Sequence, residues 1–304
     1  MASTDDWHAL YPFESHEIRL DGHRYHYLDE GPEGGDAETL LLVHGNPTWS
    51  FYWREIVLAL RGKYRLVVPD HIGCGLSDKP SEKAYRYRLA RRIDDLGRLI
   101  EHLDLRRITL LAHDWGGAIG MGAAAAAPER FSRFVLFNTG AFRGERCPWR
   151  IRVCRTPLLG RLAVEGLNLF ARAAIRMAVR RPERMTEAVR AGLLAPYDCW
   201  KHRVAVRNFV DDIPLSAGHP SYPTLCDVEN GLTQFAGHPV CLIWGMQDWC
   251  FTPAFLERFI EFFPDAEVHR LADAGHYVVE DAFERIVPLV EQFLQSHALP
   301  SQDA

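Results

Sequence analysis

The sequence predicts an α/β fold: a mostly parallel central sheet flanked by helices, with one inserted helical cap. Three observations predict it. Short apolar runs recur along the chain, helix-like segments separate most of them, and the alternation stops between about 143 and 225 before it resumes. A parallel strand covered by helices on both faces reads as a continuous apolar run. Alternating strands and helices of that kind mean βαβ units.

The elements follow in order. Residues 17–28 (EIRLDGHRYHYL) alternate around Asp21-Gly22, which predicts an antiparallel hairpin. The runs at 39–43, 64–68, 108–112, 133–137, 239–244 and 266–271 predict strands. Residues 88–103 place Leu89, Ile93, Leu96, Leu99 and Ile100 on one helical face. Residues 149–181 and 182–210 read as two helical stretches, with Pro148, Pro157, Pro182 and Pro196 as punctuation. The expected division is a core of 1–142 and 226–304 with a cap of 143–225.

Charge separates the two parts. The whole chain of 304 residues carries −5, yet residues 143–207 hold fifteen basic and five acidic side chains. That segment is +10 and the remainder −15, so the cap is either a plain solvated face or a surface for an anionic partner or another subunit. Mild overall acidity gives no reason to expect nucleic-acid binding. Seven cysteines, odd in number and without a C-x-x-C pair, argue against a disulfide framework or a zinc knuckle, and for reduced thiols in the cytoplasm. The start MASTDDWHAL has no apolar h-region, and the alanine-rich 118–127 is too short to span a bilayer, so neither a signal peptide nor a transmembrane segment is expected. His23, His26 and His113 lack metal-ligand companions at useful spacing; they are expected to be structural, with no metal and no cofactor.

Functional side chains in an open parallel sheet follow the strand ends. Four ends are informative: His44-Gly45-Asn46-Pro47-Thr48-Trp49, His113-Asp114-Trp115-Gly116-Gly117, Gly245-Met246-Gln247-Asp248, and Ala272-Asp273-Ala274-Gly275-His276. The frame Ala112-x-Asp114-x-Gly116 has the small residues that a nucleophile elbow needs on either side of its reactive residue. Alone, Asp114 fits a helix N-cap or a nucleophile equally. Acid–base work needs a histidine and a carboxylate to orient it. His276 and Asp248 supply these in the chain order nucleophile, acid, histidine that α/β-hydrolases use. The other place for an acid, after 133–137, holds Asn138, whose amide carries no charge. Asp273 and Asp281 are assigned as turn and cap residues.

HGNPTWSFYWR at 44–54, PDHIGCGLSDKP at 69–80, HDWGG at 113–117 and DAGHYVVED at 273–281 resemble haloalkane dehalogenases, α/β-hydrolases with a helical cap. The resemblance covers most of the chain. It implies Asp114 as nucleophile, His276 as base, Asp248 as acid, and Asn46 with Trp115 as halide holders. The acid after the later strand and Asn46 as second donor are similar to the family's third subfamily. The insertion, above all LAPYDCWKHRVAVRNFVDDIPL at 194–215, also resembles the β-lactone decarboxylases of long-chain olefin biosynthesis.

The chemistry agrees with the residue types. A serine displacing a group at saturated carbon would leave a stable ether, whereas an aspartate leaves an ester that can be released. The departing anion needs donors, and Trp115 offers an indole N–H and Asn46 an NH₂. Backbone N–H groups beside Asp114 and Asn46 are expected to hold an oxyanion; His44-Gly45 and Pro47 shape the loop, and Trp49 and Trp53 pack. The first reading is hydrolysis of carbon–halogen bonds through an alkyl-enzyme ester, giving alcohol and halide. A second, of nearly equal standing, is conversion of long-chain cis-3,4-dialkyl β-lactones to alkenes and CO₂. Epoxide hydrolysis ranks third: it needs an acid such as Tyr197 or Tyr222, and Asn46 stands where the resemblance places an aromatic residue in those enzymes. A catalytically dead scaffold has no need of the full set. The expected partners are a small hydrophobic substrate and further copies of the chain, with a larger olefin-biosynthesis assembly as the alternative that the resemblance implies. Leu162, Leu169, Phe170, Ala173 and Met177 form an apolar face that lines a tunnel for alkyl chains or packs on the core.

Overall fold

The computed structural model describes residues 6–32, 37–144 and 147–299. Eight strands form one sheet: β1 (His16–Leu20), β2 (His23–Glu30), β3 (Thr39–Val43), β4 (Arg65–Pro69), β5 (Ile108–Asp114), β6 (Phe131–Thr139), β7 (Val240–Gly245) and β8 (Glu267–Leu271). Their order is β1-β2-β4-β3-β5-β6-β7-β8. The β1–β2 hairpin is antiparallel, β2 joins β4 antiparallel, and every later pairing is parallel. All six apolar runs become strands within two residues of the expected bounds, and β5 runs two residues further to include Asp114 itself.

Side chains of the central strands alternate between two cores. Leu41, Val43, Leu110, Ala112 and Leu242 point into one layer, with α2 (Leu89–His102), α3 (Trp115–Ala126), α9 (Tyr222–Gly231) and α10 (Pro253–Phe262). Leu40, Leu42, Leu111, Cys241 and Ile243 point into the other, with α1 (Arg54–Leu60) and α11 (Val278–Ser296). The α2 face is buried as its spacing predicts, with Ile93 only partly covered.

Between Thr139 and Val240 the described residues contain no strand. The two long helical stretches expected there are instead broken into α4 (Trp149–Cys154), α5 (Pro157–Arg161), a π turn at 162–166, α6 (Leu169–Met177), α7 (Glu187–Leu194) and α8 (Val204–Asp211). The breaks fall at residues that cannot continue a helix comfortably: Pro157 and Pro182, each opening a new turn, and Asn168, left-handed at φ 54°. Residue 225 lies inside α9, which packs on α2 and α3 of the sandwich.

Candidate active site

Asp114 ends β5 and precedes α3 with φ 54° and ψ −125°, the strained turn of a nucleophile elbow. The turn needs close approach on both sides. A Cβ at Gly116 would lie 2.1 Å from the Val43 carbonyl, and one at Gly45 would lie 2.1 Å from Oδ1 of Asp114. Glycine at these two positions is therefore a packing requirement. The Thr139 hydroxyl donates to the Asp114 carbonyl and ties the elbow to β6.

The elbow brings together four of the strand ends. The backbone N–H of Asn46 donates to Oδ1 of Asp114 at 2.6 Å. Oδ2 lies 3.6 Å from Nε2 of His276, and Nδ1 of His276 lies 2.8 Å from Oδ2 of Asp248. All three side chains are buried. Burial favours the neutral imidazole, but the Asp248 charge and the Asp114 carboxylate outweigh it and push His276 up to about 10. Burial likewise works against the Asp114 charge, and the facing imidazole reverses that, holding its carboxyl below the usual value. The His276 ring is thus seated between the carboxyl groups of Asp114 and Asp248.

Further contacts fix this row, and the strand-end argument does not reveal them. Asn138 donates from Nδ2 to Oδ2 of Asp248 at 3.0 Å, and its Oδ1 accepts from Gly245 N–H at 2.7 Å. The residue set aside as an acid thus holds Asp248 in place. The Cys250 N–H donates to Oδ1 of Asp248 at 2.6 Å. His113, neutral because burial and His276 hold it near 3, donates from Nε2 to the His276 carbonyl at 2.8 Å. Phe251 stacks on the His276 ring at 5.6 Å. Asp281 accepts from the N–H groups of Gly275, Arg180 and Arg181, and Asp273 pairs with Arg181 and Arg285, so neither rival acid serves His276.

The loop after β3 is sewn to the helical insertion. Asn46 donates from Nδ2 to the Val206 carbonyl at 3.1 Å, Trp49 donates its indole N–H to Gly192 at 3.0 Å, and Tyr197 donates to Thr48. One N–H of Asn46 is therefore spent within the protein, one is left, and its Oδ1 is buried without a partner. The Trp115 indole has no hydrogen-bond partner among the described residues and packs on Phe209 at 5.4 Å. The Arg92 guanidinium covers Phe209 at 3.7 Å and is itself buried. That places a cation within about 9 Å of the Trp115 ring.

These groups share a cavity of about 520 Å³. Asn46, Asp114, Trp115 and His276 line it, and the rest is largely apolar, including Phe142, Ile151, Leu225 and Phe255. Of the expected tunnel face, Leu169, Phe170, Ala173 and Met177 line the cavity, while Leu162 does not and stands exposed. Neither Tyr197 nor Tyr222 lines it; Tyr197 is fully buried. The expected acids of epoxide opening are therefore not at the site.

The chain belongs to the α/β-hydrolase fold family, whose model matches residues 38–153 and 186–283. Within that family it is a haloalkane-dehalogenase-like enzyme. It is 43% identical to the cis-3-alkyl-4-alkyloxetan-2-one decarboxylase of Shewanella oneidensis, over 94% of this chain and 90% of that protein. It is 33% identical to haloalkane dehalogenase 2 of Mycobacterium tuberculosis, over 93% and 96%. The crystal structure of a haloalkane dehalogenase from Bradyrhizobium elkani superposes with a TM-score of 0.82 at 25% identity, covering 94% of this chain and 98% of that one.

Proposed function

We propose that the protein decarboxylates a cis-3,4-dialkyl β-lactone to an alkene and CO₂, with Asp114 as nucleophile, His276 and Asp248 as its charged partners, and Asn46 and Trp115 as anion donors. The observation that carries this reading is the position of the Asp114 carboxylate beside two donor side chains in a largely apolar cavity. Such a cavity suits a small polar ring bearing two alkyl arms. The 43% identity to a protein named for this reaction favours it over dehalogenation. In this reading residues 143–225 act as the cap, and the free cysteines fit a reducing cytoplasm.

The steps balance without water. Oδ2 of Asp114 attacks C4 of the lactone, the C4–O bond breaks, and a carboxylate forms on an alkyl-enzyme ester. Oδ1 becomes the ester carbonyl oxygen and keeps the Asn46 N–H. The free N–H of Asn46 and the Trp115 indole receive the new carboxylate. The C3–carboxylate bond then breaks, its electron pair forms the C3=C4 double bond, and Asp114 leaves as carboxylate. Inversion at C4 sets the ester anti to the departing CO₂, so a cis lactone gives a cis alkene with no bond rotation. The imidazolium keeps Asp114 ionised before attack and after release.

A second reading, dehalogenation, is favoured by one specific observation: the Asp248–His276 pair is aimed at Asp114, as ester hydrolysis requires. A side-by-side assay separates the two. A cis-3,4-dialkyl β-lactone is followed by alkene and CO₂ formation in ¹⁸O-water, and 1-bromoalkanes are followed by bromide release. Cis alkene and CO₂, with no hydroxy acid formed, is the expected result. An ¹⁸O-labelled hydroxy acid, or bromide release without lactone turnover, overturns the proposal.

A further inference from the structure

Ten large apolar side chains stand exposed among the described residues, and nine of them lie between Trp149 and Trp200. Trp149 is 68% exposed, Leu158 84% and Leu159 73%. They are not scattered: α4 packs on α5, α5 on the π turn and the π turn on α6, while Arg161 stacks on Trp200 at 5.9 Å. A contiguous apolar surface of this kind marks an interaction site rather than ordinary surface.

Its charge is one-sided. Residues 149–180 contain seven arginines and a single acid, Glu165, and Glu165 is buried. Arg150, Arg152, Arg172 and Arg176 are exposed and have no carboxylate partner among the described residues. Trp149 sits beside Arg150 in a cation–π contact at 5.2 Å. An indole, leucine tips and unpaired arginines on short helices form the amphipathic pattern that rests in the headgroup region of an anionic bilayer.

The cavity opens in this patch. Trp149, Val153, Leu169 and Met177 are exposed and also line the cavity that holds Asp114. A protein seated here would have to bring carboxylates to the arginines and pockets to the leucines, and it would cover the mouth. A bilayer supplies anions and an apolar phase without matched pockets, and it leaves the mouth open to hydrocarbon. None of the described helices is long and apolar enough to cross a membrane, so the contact is peripheral.

We infer that the α4–α6 face docks the protein on an anionic lipid surface and passes apolar substrate and product directly between bilayer and cavity. The inference needs only an apolar substrate and stands apart from the choice between lactone and haloalkane.

Flotation of the purified full chain with phosphatidylglycerol/phosphatidylcholine vesicles, compared with phosphatidylcholine alone, tests it. Binding to the anionic vesicles that weakens with salt is expected. Leu158→Ser/Leu159→Ser and Arg152→Gln/Arg176→Gln should each weaken it about tenfold or more, while turnover of a short water-soluble substrate and the circular-dichroism spectrum stay unchanged. Absence of flotation with anionic vesicles, or equal binding to neutral ones, overturns the inference. So does an oligomer in light scattering that the Leu158→Ser/Leu159→Ser variant converts to monomer, because the patch would then be an interface between copies.

Discussion

Nε2 of His276 lies 3.6 Å from Oδ2 of Asp114. The contact couples the charge of one to the proton of the other. While Asp114 is a carboxylate, it helps hold His276 up to about 10, where the imidazole is unable to accept a proton at neutral pH. In the proposed mechanism, esterification of Asp114 removes that charge, so His276 loses one of the two carboxyl partners that raise it.

Replacing Asp114 tests the proposed covalent step. Asp114→Asn should lower kcat by on the order of 10⁴-fold or more, for lactone and haloalkane alike, while thermal melting still shows one cooperative transition. Activity near the parent level would remove Asp114 from the mechanism.

The histidine separates the two chemistries. His276→Ala should stop multiple turnover of a 1-bromoalkane after one equivalent of bromide, leaving an alkyl mass on Asp114 in intact-protein mass spectrometry. Lactone decarboxylation needs no water, so it should fall by less than the roughly 10²–10⁴-fold expected for loss of a general base. Equal collapse of both activities would contradict a water-free second step.

A pH titration reads the charge row directly. The folded pKa of His276 is raised to about 10, above an unfolded value of about 6.5. Its contribution to stability is therefore fully present below about pH 6.5 and is lost as pH rises through about 10. NMR of the ring should show a high pKa that drops in Asp114→Asn. A ring titrating near 6.5 in the parent protein would be the contrary result.

The proposed anion donors, Trp115 and Asn46, should act on the chemical step. Trp115→Phe removes the indole N–H with little change of shape. It should cost about 2–4 kcal/mol of transition-state stabilisation, seen mainly in kcat. Asn46→Ala should cost a similar amount and also loosen the loop, because Asn46 donates to the Val206 carbonyl. A change confined to KM would mean that these groups bind substrate without stabilising the leaving anion.

The Asn138–Asp248 contact is a separate test. Asn138→Ala removes the only amide that donates to Oδ2 of Asp248 among the described residues. It leaves a buried carboxylate less satisfied, at about 1–3 kcal/mol. Melting temperature should fall, and the His276 ring pKa should change with it. If neither changes, His276 and the Cys250 N–H suffice to hold Asp248.

Much of this site is legible in the sequence because strand ends are. An apolar run that stops at a polar residue places that residue at the carboxyl edge of the sheet, so Asp114, Asp248 and His276 announce themselves by position, and Asn46 by its place after β3. The inserted segment is less legible. Its helical character shows in the sequence, yet the two long stretches expected from periodicity break into short pieces at Pro157, Asn168 and Pro182. The partners of the site are not legible at all. Asn138 looked like a missing acid and proved to be the residue that holds Asp248.

The sequence by itself determined the chain order of the candidate residues: an aspartate at an elbow, a second aspartate and a histidine after later strands, and an asparagine and a tryptophan whose side chains carry N–H groups. Pattern and spacing are local properties, and a covered parallel strand imposes them strongly. Only the tertiary structure decided how those ends face one another. It set the 2.8 Å and 3.6 Å contacts of His276, the commitment of one Asn46 N–H to Val206, and the opening of the cavity among the exposed side chains of α4 and α6. Each joins residues from 28 to 162 positions apart, and contact at that separation is set by how layers pack, which no local pattern encodes.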